Sequence, residues 1–168
     1  MGAELARGAL LLRAVPTQSD EGRNAMTLLE FSDPAGIIAV AILFGSMLFF
    51  SCVVAPLVFI ELDAATAGRF IRRLFPWYYA VVGALALVGA ACLAAGRPAA
   101  ALTMALVLLG AVLSRQVLMP RINQHRDRML AGDATAEVPF DRLHRLSVWI
   151  NGAQLLAALI VMVRLALY

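Results

Sequence analysis

The chain has 168 residues, 62% of them hydrophobic and 15% charged, where soluble domains run near about 45–50% and about 25%. A domain this small is mostly surface, so the apolar excess cannot be hidden in a water-soluble core and excludes an ordinary soluble globule. The net charge of +3 comes from arginine alone, in short clusters between apolar runs with no aromatic-interleaved basic face. That pattern speaks against nucleic acid and for a lipid bilayer as the principal partner.

Residues 1–33 read as a polar, mixed-charge tail that the composition leaves disordered, separate from a membrane domain over 34–168. Its apolar stretch Gly8–Leu12 is too short for a signal-peptide core, and Met26 is an alternative start. The first long uncharged run, Ile37–Ile60, is long enough as a helix to cross the hydrocarbon layer. Pro56 falls one turn from its end, with Ser51 and Cys52 one turn earlier, which predicts a kink.

Asp63–Phe75 has Arg69, Arg72 and Arg73 on one helical face and Ala67, Ile71, Leu74 and Phe75 on another. It is predicted to be a short helix lying in the interface. Pro76 then opens a second span, Trp77–Ala95, with Trp77, Tyr78 and Tyr79 at headgroup level. Gly96-Arg97-Pro98 is so short a turn that the third span, Pro98–Met119, must return antiparallel beside the second. Residues 120–141 read as a polar loop, and Leu146–Val163 as the fourth span. The predicted fold class is an all-α integral membrane protein: a four-transmembrane-helix bundle with a short interfacial helix after the first span.

Four spans put both termini on one side. Arg69, Arg72, Arg73, Arg121, Arg126, Arg128, Arg142 and Arg145 all follow odd-numbered spans. The positive-inside rule therefore predicts cytoplasmic arginine-rich loops and periplasmic termini in a bacterial inner membrane. The segments Val53–Arg69 and Val117–Asp133 also echo each other at an offset of 64, sharing Pro56/Pro120, Asp63/Asp127 and Ala67-Gly68/Ala131-Gly132. Such an echo suits duplication of a two-helix unit.

The candidate site lies on span four. His144, Ser147, Asn151 and Gln154 are spaced i, i+3, i+7, i+10 and so share one helical face. Polar groups in lipid turn inward, because leaving them unpaired costs several kcal/mol. The stripe suits interhelical hydrogen bonding, a polar ligand pocket, or a haem or metal site with His144 as axial ligand. Glu61 and Arg115 end spans one and three and are placed to pair or to bind an anionic group; Arg115 can equally reach the headgroups. Cys52 and Cys92 sit within apolar runs as small fillers, with neither the number nor the spacing of a disulfide framework or zinc site. Gly83, Gly89, Ala90 and Gly110 allow close helix approach. The chain carries no Gly-rich phosphate loop, GxSxG, HExxH or CxxC. These features lead to a non-enzymatic protein with no resident cofactor, binding or moving a small molecule or supporting a membrane complex, with a homo-oligomer or such a complex as its partner beside the bilayer. The alternative is a haem- or metal-binding redox protein using His144.

With these motifs in view, the chain resembles the transmembrane-protein-205-like family, catalogued as domain of unknown function 4149. The resemblance rests on FFSCVVAPLVFIELDAATAGRFIRRLFPWYY (Phe49–Tyr79), MPRIN (Met119–Asn123) and FDRLHRLSVWINGAQLL (Phe140–Leu156). It implies a four-helix membrane domain over about Ile37–Leu165 and assigns no activity. Copper-resistance and haem-binding four-helix proteins look similar, but their sites rely on histidines this chain lacks.

Overall fold

The computed structural model describes residues 18–167, with side chains described from Asp33 onward. All its elements are helical. Helix α1 spans Gln18–Phe49, and a wider, π-type turn over Phe50–Val54 joins it to α2 (Ala55–Glu61). Helix α3 covers Ala64–Leu93 and α4 covers Pro98–Leu113; a second wide turn, Ser114–Leu118, leads into α5 (Met119–Leu130). After a short 3-10 turn at Ala134–Ala136, α6 runs from Glu137 to Leu167. Four continuous helical stretches, Asp33–Glu61, Ala64–Leu93, Pro98–Leu130 and Ala134–Leu167, are long and apolar enough to cross a membrane. Of the expected N-terminal tail, residues 1–17 lie outside the described residues, and the backbone of residues 18–33 continues α1 outward.

The helices form a ring in which α1 packs against α3 and α6, and α4 packs against α3 and α6. The core is drawn from one stripe of each: Val40, Leu43 and Met47; Val82, Ala86 and Leu93; Met104, Val107 and Ala111; Ala158, Val161 and Leu165. Spacings of three, four and seven keep each set on one face. The other faces are apolar too, with Ile38, Ile42, Leu102, Leu106, Leu109 and Ile160 exposed. Helices that are hydrophobic all round belong in lipid rather than water.

Two expectations need correction. The predicted interfacial helix is not a separate element, since residues 64–75 are the first three turns of α3 and Pro76 lies inside it. Pro76 removes only the donor that would serve the Arg72 carbonyl, at the arginine-rich end of the helix. The predicted polar loop 120–141 is largely helical, because α5 carries span three on to Leu130 and α6 starts at Glu137. Pro139 falls within the first turn of α6, where backbone N–H groups have no intrahelical acceptor.

The wide turns explain how helix persists past Pro56 and Pro120. Before Pro56, the Ala55 N–H bonds to the Phe50 carbonyl; before Pro120, the Met119 N–H bonds to the Ser114 carbonyl. Each link skips one residue more than an α-helix does, opening the turn ahead of the proline ring. Phe50–Val54 and Ser114–Leu118 stand 64 residues apart, the same offset as the sequence echo. Both halves therefore carry the same device at the same place.

The connections are also specified locally. Asp63 caps α3 by accepting from the Ala65 and Thr66 amides, both at 3.0 Å. Helix α5 ends in a Schellman closure: Gly132 N–H donates to Met129 O at 3.0 Å and Asp133 N–H to Arg128 O at 3.1 Å. Gly132 has φ +92°, a conformation that favours glycine.

Candidate functional site

Two places gather polar chemistry, a node inside the bundle and the arginine-rich end. The node begins at Asn151 on α6, which meets two other spans. The Tyr78 hydroxyl donates to Asn151 Oδ1 at 2.5 Å, and Asn151 Nδ2 donates to Ser51 Oγ at 3.3 Å. Helices α3 and α6 are diagonal in the ring, so these side chains tie elements whose backbones barely touch. One turn on, Gln154 is buried and donates to the Val107 carbonyl of α4 at 2.8 Å. Gly110 makes room for it: a Cβ there would lie 2.7 Å from Gln154 Nε2.

Aromatic rings close the node toward the arginine-rich end. Phe50 lies 4.3 Å from Tyr78 between ring centroids, and Phe75 stacks on Tyr79 at 5.6 Å. Each wide turn thus sends one residue to the tyrosine pair: Phe50 to Tyr78, and Ser114 to the side of Tyr79. Ser114 is 1% exposed, yet among the described residues its hydroxyl forms no hydrogen bond of good geometry; Gln154 Oε1 likewise lacks a partner there. Of the predicted aromatic belt only Trp77 faces outward, 74% exposed, whereas Tyr78 and Tyr79 are buried.

The predicted span-four stripe therefore divides. Asn151 and Gln154 enter the bundle; His144 is exposed and stacks flat against Phe140 of its own helix at 5.9 Å. Ser147 donates to the His144 carbonyl at 2.7 Å, an intrahelical bond. Glu61 and Arg115 are both exposed, and no ion pair joins them among the described residues. No group of three or more His, Cys, Asp or Glu side chains comes together among the described residues. Ser51, Tyr78 and Ser114 complete the node without having been singled out as site residues. Ser51 carried one signal, its place one turn before Pro56.

The arginine-rich end is built from the first turns of α3, the whole of α5 and the start of α6. Arg72 pairs with Asp127 at 2.6 Å, and Arg128 pairs with Asp133 at 2.6 Å. The Arg126 guanidinium lies over Gly68 and reaches the Ala64 carbonyl at 3.4 Å, so the missing side chain at Gly68 is what admits it. Hydrogen bonds from Thr66 and Ala65 hold the Asp63 carboxyl below the usual carboxylate range, with Arg69 adding a smaller pull. Asp133 is lowered in the same way, by Thr135 and by Arg128.

Two open grooves flank α5. The larger, about 650 Å³, includes Arg72, Asn123, Asp127 and Arg128. The smaller, about 470 Å³, runs between α5 and the start of α6 and is lined by Arg121, Gln124, His125, Pro139, Arg142 and Leu143.

The family model described as "Domain of unknown function (DUF4149)" matches residues 38–130, more than half of the chain. The chain belongs to that family. The match runs from the first span to the end of α5 and leaves out α6, so the resembling stretch Phe140–Leu156 lies beyond it. No curated protein and no solved structure matches the chain.

Proposed function

We propose that this DUF4149 protein is a non-enzymatic, multi-pass protein of a bacterial inner membrane that works through its arginine-rich end, binding an anionic ligand or partner there. The observation that supports this is the contrast between the two polar places. Inside the bundle, Asn151 and Gln154 are engaged by Tyr78, Ser51 and the Val107 carbonyl. At the arginine-rich end, Arg121 and Arg142 line an open groove and pair with no carboxylate among the described residues. Bonding between helices uses the first set for cohesion, while unpaired cations beside a groove attract anions.

In this reading the arginine-rich end is cytoplasmic and both termini are periplasmic, as the charge asymmetry favours. Kinship with the transmembrane-protein-205-like proteins belongs to the same reading and rests on the sequence motifs around Pro56, Pro120 and Asn151.

Orientation is the testable premise. Alkaline phosphatase fused after Tyr168 is expected to be active and a fluorescent protein inserted at Gly132 to fluoresce, because the first reporter needs the periplasm and the second the cytoplasm. The opposite pair of results would place the arginine-rich end outside and overturn the reading.

A further inference from the structure

We infer that the groove between α5 and α6 is a phosphate site, occupied by the phosphate of an anionic membrane lipid. The inference deepens the proposed anion-binding role of this end and rests on it.

The charge pattern separates the two grooves. In the larger one Asp127 neutralises Arg72, and Asp133 neutralises Arg128. The smaller groove has no carboxylate in its lining, and neither of its arginines forms an ion pair among the described residues. Two guanidinium groups facing one space repel each other unless an anion lies between them. A phosphate accepts paired N–H bonds from each fork, the geometry that arginine serves best.

Three further features fit the same guest. His125 lines the groove, and its Nδ1 is buried without a hydrogen-bond partner among the described residues. Turned toward the groove, the ring would offer a phosphate oxygen an N–H donor. The Gln124 amide adds a neutral donor. Pro139, Arg142 and Leu143 belong to the first two turns of α6, whose N-terminal end carries the partial positive charge of the helix dipole.

The source of the phosphate follows from what adjoins the groove. Leu143, Leu146 and Ile150 are spaced i, i+3, i+7, so an apolar track leads from the groove along α6 toward the hydrocarbon. Leu146 is 46% exposed on that track. A free phosphate has no use for it, whereas an acyl chain does. Basic pockets at the ends of membrane helices bind lipid headgroups by this combination.

The test uses the whole chain purified in detergent, stripped of lipid, and titrated with phosphatidylglycerol or phosphatidylcholine under native mass spectrometry. The wild type is expected to take up phosphatidylglycerol at ~10-fold lower concentration than phosphatidylcholine, the equivalent of about one good charge-assisted contact. Arg121→Gln/Arg142→Gln should abolish the preference, while Arg69→Gln/Arg73→Gln, which removes the same charge from the same end, should keep it. Equal losses in the two double variants would show unspecific attraction and overturn the site. If the groove variant does not fold by circular dichroism, His125→Ala takes its place, with a several-fold loss expected and an unchanged preference overturning the site. Inorganic phosphate is the second arm. Displacement of phosphatidylglycerol by millimolar phosphate would assign the groove to a soluble phosphate compound and overturn the lipid assignment. The binding assay does not depend on orientation, so a reversed topology would sink the proposed function yet leave this preference intact.

Discussion

Replacing Asn151 by Leu tests whether the node holds the bundle together. The substitution removes two interhelical hydrogen bonds, Tyr78 to Asn151 and Asn151 to Ser51. Bonds of this kind inside membrane proteins average about 0.6 kcal/mol each, which sets a floor near ~1 kcal/mol. Tyr78 is only 8% exposed, so its hydroxyl is left without water or protein partner, and a stranded buried donor costs ~1–3 kcal/mol. The expected destabilisation is about 2 kcal/mol. Tyr78→Phe alone should cost about half as much, because Asn151 keeps its bond to Ser51. The double variant strands neither the hydroxyl nor the amide oxygen and should lose less than the sum, a coupling of about 1 kcal/mol. Reversible unfolding in mixed detergent and dodecyl sulfate micelles, followed by circular dichroism, measures all four corners of the cycle. Additivity within ~0.3 kcal/mol would refute the idea that Tyr78 and Asn151 stabilise the bundle through each other.

Gly110→Ala should cost about 1 kcal/mol by pushing the Gln154 amide off the Val107 carbonyl; in a Gln154→Ala background the same change should be nearly silent, as the same unfolding assay will show. Pro120→Ala restores a backbone N–H, so the Ser114–Leu118 turn is expected to tighten to ordinary α-helix and rotate α5 by ~100°. Cysteines at positions 72 and 127, which replace the Arg72–Asp127 pair, should then crosslink less readily than in the Pro120 protein, and equal crosslinking would count against that account of the wide turn. The caps at Asp63 and Asp133 respond to acid. Both carboxyls are lowered in the folded protein, so their contribution is complete above the ordinary value of 3.8 and is lost as pH falls through the lower folded value. The protection of the Thr66 and Thr135 amides, measured as exchange relative to an unstructured peptide at the same pH, should fall in that acid window and stay flat from pH 7 to 5.

The spans were legible because lipid demands apolar helices of a minimum length, and four stretches among the described residues supply them. Helix continuity was harder to read. Pro76 and Pro120 look like breaks to any rule built on the missing N–H, yet α3 absorbs the first near its polar end and the wide turn absorbs the second. Hydropathy also misled for Met119–Leu130, whose polarity reads as a loop while its side chains pair along and between helices, as Arg72–Asp127 and Arg128–Asp133 show. The site was half legible. Spacing put His144, Ser147, Asn151 and Gln154 on one face, but ten residues of helix cover ~15 Å. The stripe therefore starts at the exposed end and finishes in the core, and only its inner half meets partners. Tyr78 was assigned to the headgroup level because an aromatic run beside a charged segment resembles a headgroup belt, whereas it is buried in the bundle.

The wide turns and the node belong to one arrangement. A proline deep in a membrane helix leaves a carbonyl without its N–H donor, and lipid offers no replacement. Such a position persists where nearby polar groups or altered turns compensate. Here the residues ahead of Pro56 and Pro120 include Ser51, which joins Asn151, and Ser114, which lies beside Tyr79. The two turns reach opposite partners through equivalent positions, 50 and 114, at the offset of the sequence echo. Helix α3 thus meets both halves at its tyrosine pair. Beyond each turn the helix continues as α2 or α5, and α5 forms one wall of the arginine-lined groove.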